Sequence, residues 1–196
     1  MNLLSKSGRL GVAAAVMALT LGACGGGGSD PQTRDTSYGE VEGVNDSAAS
    51  GTYFWKGIPY AKAPVGALRW KAPVEPAKWS GKLDARQFGA SCIQNPRLYS
   101  PGNTNTFDAS VGDNLATGHT PGSEDCLSLN IWRPANDDKG LPVIVFIHGG
   151  SNITGYSADP MYDGAALAKK ANAVVVSANY RLGQLGFFRH PALRDK

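Results

Sequence analysis

Two short apolar runs in the second half of the chain predict the centre of the fold. The first, Val143–Ile147, contains only β-favouring side chains and lies between a proline and a pair of glycines, which is typical of a strand buried on both faces. The second run covers residues 173–178. Between them, Asp163 is suited to be the N-cap of a short helix over residues 164–170. Strand, helix and strand together predict a βαβ unit with two parallel strands.

The pattern upstream predicts antiparallel strands and irregular segments. Residues 40–44 and 52–55 are strand-like and flank a turn-rich patch, which predicts a hairpin. Residues 127–132 alternate apolar and polar side chains, as a half-buried strand does. Residues 57–73 contain three prolines, so this segment should run extended over the surface. Residues 94–122 are polar and have no periodicity, which predicts a long loop.

The N-terminus is predicted to be a targeting segment outside the fold. Lys6 and Arg9 precede an apolar run over residues 10–21, which is too short to span a bilayer. The run ends in Leu-Gly-Ala before Cys24, which resembles a bacterial lipoprotein signal. We therefore expect cleavage after residue 23 and lipidation of Cys24. The alternative is an ordinary secretory signal cut nearby, with Cys24 incidental.

These features predict the organisation and location of the protein. Residues 1–23 are the expected signal peptide, residues 24–37 a flexible glycine-rich tether, and residues 38–196 the folded part. The protein is expected in the bacterial cell envelope, periplasmic or at the cell surface, and anchored to the membrane by its N-terminal lipid.

Length and charge narrow the functional classes. The 196 residues suffice for about one domain, and no internal repeat or second domain boundary is present. Two of the positive charges behind the formal net charge of +3 are Lys6 and Arg9 in the leader. The remaining body is close to neutral and has no basic cluster with interleaved aromatic residues, so we expect no nucleic-acid partner.

The cysteines are expected to serve two purposes. If Cys24 carries lipid, Cys92 and Cys126 remain, and an exported protein meets an oxidising compartment in which a disulfide between them is the first expectation. Such a bridge contributes roughly 4 kcal/mol on the chain-entropy model. A zinc site is disfavoured, because neither cysteine has a Cys or His partner at ligand spacing.

The residues after the first apolar run are the candidate chemistry. His148, Gly149, Gly150 and Ser151 follow the predicted strand directly. Glycines at this point let the backbone turn sharply and leave successive N–H groups free to face one spot, which is how an oxyanion hole is built. The alternative is an ordinary connection between a strand and a loop, where glycines are common.

Four blocks of sequence, in chain order, carry a resemblance to a known family. They are Gly-Ile-Pro-Tyr-Ala, Pro-Val-Gly and Leu-Arg-Trp within residues 57–70; Ser-Glu-Asp-Cys-Leu-Ser-Leu-Asn-Ile-Trp at 123–132; His-Gly-Gly at 148–150; and Asn-Tyr-Arg-Leu-Gly with Leu-Gly-Phe at 179–187. From about residue 41 to 196, the chain resembles the N-terminal portion of a type B carboxylesterase of the cholinesterase-like branch, here a bacterial lipoprotein member. The resemblance implies the α/β class and an incomplete α/β-hydrolase fold. This fold would comprise N-terminal antiparallel strands and the first parallel βαβ unit of the central sheet.

The same resemblance implies roles for individual residues. Cys92 and Cys126 match the pair that bridges the loop at the rim of the active-site gorge, and Arg69 and Glu124 match a structural ion pair. The loop Gly149, Gly150 and Ser151 matches the oxyanion hole, with the donors at the second and third positions. Ser151 departs from the commoner third glycine, although its backbone N–H remains able to donate.

The catalytic triad of such an enzyme is not found in these residues. The nucleophile belongs in a Gly-x-Ser-x-Gly elbow, and no such pattern occurs in the sequence. In family order the serine, the acid and the histidine should all follow Lys196. His119 and His190 are interpreted as surface histidines, and His148 as a residue that shapes the loop.

The expected function is therefore hydrolysis of small-molecule carboxylic esters through a serine acyl-enzyme, to which this chain supplies the oxyanion hole. No metal or organic cofactor is expected. Family topology places the strand that carries the serine beside Val143–Ile147, so the 196 residues alone should leave that strand exposed, be poorly folded and lack turnover. The alternatives are a non-catalytic cholinesterase-like binding or adhesion module, an inactive truncated fragment, or a lipidated envelope protein that binds a ligand without turnover.

Overall fold

The computed structural model describes residues 30–94 and 122–193. The expected signal peptide, the first part of the tether with Cys24, and the loop residues 95–121 with His119 lie outside this range. Along the chain, the strands are β1 (Thr33–Thr36), β2 (Gly39–Glu42), β3 (Val44–Asp46), β4 (Thr52–Pro59), β5 (Lys82–Asp84), β6 (Ser128–Pro134), β7 (Val143–Ile147) and β8 (Val174–Ala178). The helices are α1 (Ala165–Ala171) and α2 (Gly183–Phe187), with 3₁₀ turns at Gly66–Leu68, Pro160–Tyr162 and Pro191–Leu193.

The strands form two sheets. The larger has the order β3-β4-β6-β8-β7, in which β7 and β8 are parallel and the other neighbours are antiparallel. The smaller has the order β1-β2-β5. Antiparallel strands at one side and a parallel pair joined by a helix at the other are the arrangement expected for the N-terminal part of an α/β-hydrolase. The predicted fold class is thus confirmed.

The predicted hairpin is present in a modified form. The strand that forms the hairpin with β4 is β3, with Val44 opposite Phe54, whereas residues 40–42 belong to β2 in the smaller sheet. The chain changes sheets at Gly43, where a Cβ atom would lie only 2.6 Å from the Trp55 ring. Residues 40–44 were predicted as a single strand but belong to two strands, because only glycine, which has no side chain, fits where the chain crosses between the sheets.

The predicted βαβ unit is present. Helix α1 begins one residue later than expected, and its N-cap is Gly164, so the prediction of Asp163 as the N-cap is wrong by one position. The Asp163 carboxylate nevertheless accepts a hydrogen bond from the N–H of Ala165 at 2.9 Å. The helix ends at Ala171, and its C-cap Asn172 has a left-handed φ of 47°. Its buried Ala168 packs against Trp132 and Val175, which fixes α1 on the sheet.

Strand β7 differs from the expectation of burial on both faces. Val143, Val145 and Ile147 are 61%, 64% and 70% exposed. The physical reason is that β7 is an edge strand, hydrogen-bonded to β8 on one side and to no other strand in the described part of the chain. The apolar sequence of β7 is typical of an interior strand. Its exposure agrees with the expectation that the 196 residues alone leave this strand at an open edge of the sheet.

Candidate active site

The candidate site lies at the carboxyl ends of the two parallel strands. His148 to Ser151 follow β7, and Asn179 to Leu182 follow β8. Loops at this edge of a parallel sheet meet in space and commonly bind ligands in open α/β folds. The hydroxyl of Tyr180 donates a hydrogen bond to the carbonyl of His148 at 2.9 Å and so joins the two loops.

The backbone of the glycine loop turns through three successive residues with positive φ. These angles are 115° at Gly150, 56° at Ser151 and 62° at Asn152. Glycine is required at position 150, because a Cβ atom there would collide with the carbonyl of Thr154. Ser151 adopts the left-handed region as a non-glycine residue, at a cost of about 1–2 kcal/mol. The loop is therefore held by its surroundings.

Hydrogen bonds on both sides hold the turn. The N–H groups of Ile153 and Thr154 both donate to the carbonyl of Gly150, each at 3.1 Å. The N–H of Gly183 donates to the carbonyl of Asn152 at 2.7 Å and ties the turn to the start of α2. These bonds occupy the carbonyl groups of Gly150 and Asn152 and fix the course of the loop.

The N–H groups of the same loop are available. Among the described residues, Gly149, Gly150 and Ser151 donate no backbone hydrogen bond, and all three residues are exposed. Backbone N–H groups without partners in a fixed turn are the donors that stabilise an oxyanion. A concavity lined by Gly149, Gly150, Thr154, Gly155, Asp159, Met161 and Tyr162 opens beside them.

His148 is buried in the core beneath the loop. It is 3% exposed, and its ring stacks on Tyr180 with centroids 4.5 Å apart. Nδ1 lies 3.0 Å from the carbonyl of Gly149, so it carries the proton, and Nε2 has no partner among the described residues. Burial lowers the pKa of this imidazole. His148 thus shapes the loop as expected.

Two asparagines that the sequence analysis did not single out organise the floor of the site. Asn130 accepts from the N–H of Gly57 and donates to the hydroxyls of Ser157 and Ser177. Asn179 accepts from the N–H of Ser157 and donates to the carbonyl of Ala90. Both asparagines lie within the four sequence blocks that carry the family resemblance. An asparagine within or next to an apolar strand indicates such a network, because a buried amide needs hydrogen-bond partners.

Gln94 and Tyr156 were also missed. The amide of Gln94 makes hydrogen bonds to Cys92, Thr154 and Gly155. Tyr156 is 1% exposed, and its hydroxyl has no hydrogen-bond partner in the described ranges. Burial, with a smaller contribution from Asp159, raises the pKa of Tyr156 well above its usual value. No local sequence pattern marks either residue.

The disulfide and the ion pair are both present beside the site. Cys92 and Cys126 are bonded, with Cα atoms 5.0 Å apart, which confirms the expected bridge. Arg69 binds Glu124 through both carboxylate oxygens, with Nε 2.7 Å from Oε2. These hydrogen bonds lower the pKa of the Glu124 carboxyl. The disulfide connects residues 123–126 to the segment around Cys92, and the ion pair connects them to the segment around Arg69.

His190 lies apart from these residues. It is exposed, its ring stacks on Phe188 with centroids 6.3 Å apart, and its Nδ1 accepts a hydrogen bond from the N–H of Ala192. These contacts are local and agree with a surface histidine.

Comparison with known proteins assigns the family. Residues 30–193 match the model of the Carboxylesterase family, which covers the strands and loops described above. The chain belongs to the carboxylesterase family. Among curated relatives of this carboxylesterase chain, para-nitrobenzyl esterase of Bacillus subtilis is 42% identical over 153 residues, 78% of this chain and 28% of the relative. Fumonisin B1 esterase of Sphingopyxis macrogoltabida is 45% identical over 166 residues, 84% of this chain and 27% of the relative.

Solved carboxylesterase structures share the fold. A PNB esterase structure superposes with a TM-score of 0.69 at 39% identity, over 82% of this chain and 30% of the other. A Geobacillus stearothermophilus carboxylesterase gives a TM-score of 0.63 at 40% identity, over 80% of this chain and 27% of the other. The carboxylesterase chain therefore spans between a quarter and a third of the length of these relatives.

Proposed function

We propose that this chain supplies the oxyanion hole of a serine esterase that hydrolyses small-molecule carboxylic esters. The observation that carries the proposal is the set of N–H groups at Gly149, Gly150 and Ser151 that have no partner among the described residues, in a turn with positive φ angles at positions 150–152. Membership of the carboxylesterase family supports the reaction class. The proposal assigns the serine, the acid and the histidine to residues that follow Lys196.

The proposed mechanism assigns these residues one task. The serine hydroxyl gives its proton to the histidine as its oxygen attacks the ester carbonyl carbon, and the carbonyl oxygen becomes an oxyanion that accepts hydrogen bonds from the N–H groups of Gly150 and Ser151. Collapse of this intermediate expels the alcohol, which takes a proton from the histidine, and water then hydrolyses the acyl-enzyme. Each N–H donor contributes on the order of 3 kcal/mol to the transition state, or roughly a 100- to 1,000-fold rate effect.

The test compares two proteins made from the gene: the 196-residue chain and the product that continues past Lys196. Hydrolysis of a short p-nitrophenyl ester with an initial burst is expected from the longer protein only. A longer protein that binds esters without releasing p-nitrophenol is a binding module and contradicts the proposal. Burst turnover by the 196-residue chain would contradict the assignment of the nucleophile to residues after Lys196.

We further propose that the protein is exported and anchored by lipid at Cys24. The leader pattern and the glycine tether support this, and the disulfide between Cys92 and Cys126 fits an oxidising compartment. In the described ranges, no helix has the length and apolar character needed to cross a membrane. Mass spectrometry of the mature N-terminus should find lipid on Cys24, and an unmodified N-terminal residue would contradict the proposal.

A further inference from the structure

A single buried side chain links the disulfide to the glycine loop. Gln94 lies two residues after Cys92 and is 4% exposed. Its Oε1 accepts hydrogen bonds from the N–H of Gly155 at 2.8 Å and from the hydroxyl of Thr154 at 2.6 Å. Its Nε2 donates to the carbonyls of Gly155 and Cys92, each at 3.1 Å. Both donors and both acceptor positions of the amide are thus used.

The residues that Gln94 holds form the back of the candidate oxyanion loop. The N–H of Thr154 donates to the carbonyl of Gly150, and the Thr154 carbonyl lies so close to the Gly150 α-carbon that no Cβ fits between them. Gly155, with a φ of 113°, lies against the carbonyl of Gly149 and the ring of His148. Movement of Thr154 and Gly155 therefore displaces the backbone of Gly149 and Gly150.

The other end of this link is firmly anchored. Cys92 is bonded to Cys126, and the neighbouring backbone pairs with Ser123 through a 2.8 Å bond from the Ser123 N–H to the carbonyl of Ser91. A loop rich in glycine has many accessible conformations and needs an external hold to keep one of them. Gln94 provides that hold from a cross-linked segment.

We propose that Gln94 is a positioning residue for the oxyanion hole, which it sets by clamping Thr154 and Gly155 behind Gly150 and Ser151. The inference rests on the proposed function, since it assigns Gln94 a role in the geometry of those donors. Gln94 is buried, and in this proposal it makes no contact with the substrate. It acts through the backbone, and therefore its loss should affect the oxyanion-forming step more than the binding of the ester.

The chain offers variants that isolate this role. Gln94→Met keeps the length of the side chain and removes all four hydrogen bonds. Thr154→Val removes one of them and should give a smaller effect of the same kind. Gln87→Met is the matched control, because it makes the same change at a glutamine that is exposed. All three are made in the complete gene product.

The kinetic readout is turnover per active site, titrated with an organophosphate. Gln94→Met should lower kcat by about 10- to 100-fold with little change in KM, because displaced donors reduce transition-state stabilisation. Its affinity for a trifluoromethyl ketone, which forms an oxyanion on the serine, should fall in parallel. Gln87→Met should match the parent. If kcat per titrated site stays within about twofold of the parent, Gln94 is only structural and the proposal is overturned.

Hydrogen exchange of the backbone amides tests the role of Gln94 without relying on esterase turnover. Backbone amides of residues 149–155 should exchange faster in Gln94→Met, and to a lesser degree in Thr154→Val, than in the parent and in Gln87→Met. If the parent has no esterase turnover, the proposed function fails while exchange still decides whether Gln94 clamps the loop. If Gln94→Met does not fold, Thr154→Val decides. Unchanged exchange in the folded variants would overturn the inference.

Discussion

At the scale of single residues, the turn of the glycine loop depends on Gly150, whose φ of 115° few other residues tolerate. The two glycines after the predicted strand indicated a loop at this point of the sequence. The left-handed conformation of Ser151 was not predictable, since serine seldom adopts it without support from its surroundings. The clamp by Gln94 was not predictable either, because its partners Thr154 and Gly155 lie about sixty residues further along the chain.

Substitutions at Ser151 test whether its backbone N–H or its side-chain hydroxyl stabilises the oxyanion. If the backbone N–H is the donor, Ser151→Gly should keep turnover within about threefold of the parent, because glycine adopts a φ of 56° without strain. Ser151→Val should lose about 1–2 kcal/mol of stability and most of its turnover, because a β-branched residue resists this conformation. Turnover per active site and urea denaturation of the complete gene product measure both effects. Equal losses in the two variants would implicate the serine hydroxyl instead.

His148 predicts a pH dependence of stability. Burial lowers its pKa in the folded protein below the ordinary 6.5, so the unfolded chain binds a proton more readily. Its contribution to the free energy of unfolding is therefore full above pH 6.5 and is lost as the pH falls below that value. Urea denaturation between pH 7 and roughly pH 5 should show this decline in the parent protein and a weaker one in His148→Phe. The same decline in both proteins would contradict it.

At the scale of secondary-structure elements, the sequence predicted the types and approximate positions of β6, β7, α1 and β8. The pairing could not be read from local pattern, because it depends on which segments meet across the sheet. The division of one apparent strand at Gly43 is an example, since the constraint comes from the Phe54 carbonyl and the Trp55 ring. Strand β7 is another, because its interior-type sequence does not reveal that it lies at an edge of the described sheet.

Because the side chains of β7 are exposed, we expect one substitution there to improve the 196-residue chain and to destabilise the complete gene product. Val145→Lys should make the 196-residue chain more soluble, because a lysine on an exposed edge strand opposes edge-to-edge association. In the complete gene product, where we propose that another strand covers β7, the same lysine should destabilise the fold by about 2 kcal/mol or more. Solubility and urea denaturation are the measurements.

The control for this prediction is Val74→Lys. Val74 is also exposed but lies in an extended surface segment, so its substitution should change little in either protein. If the complete product tolerates Val145→Lys as well as Val74→Lys, no strand covers β7.

At the scale of the whole molecule, motifs were more informative than periodicity. The block around Cys126 predicted the bridge to Cys92 because a family resemblance carries long-range information that a local pattern lacks. In the structure, the bridge, the ion pair of Arg69 with Glu124 and the clamp by Gln94 form a continuous support from the surface segments to the glycine loop. This arrangement allows a loop with strained residues to keep one conformation.

The most direct test of the oxyanion hole is a crystal structure of the complete gene product with a trifluoromethyl ketone bound to its nucleophile. The ketone oxygen should lie about 2.7–3.1 Å from the backbone nitrogens of Gly150 and Ser151. Amides that point away from this oxygen, or the absence of a serine bonded to the ketone carbon, would contradict the assignment of an oxyanion hole to this chain.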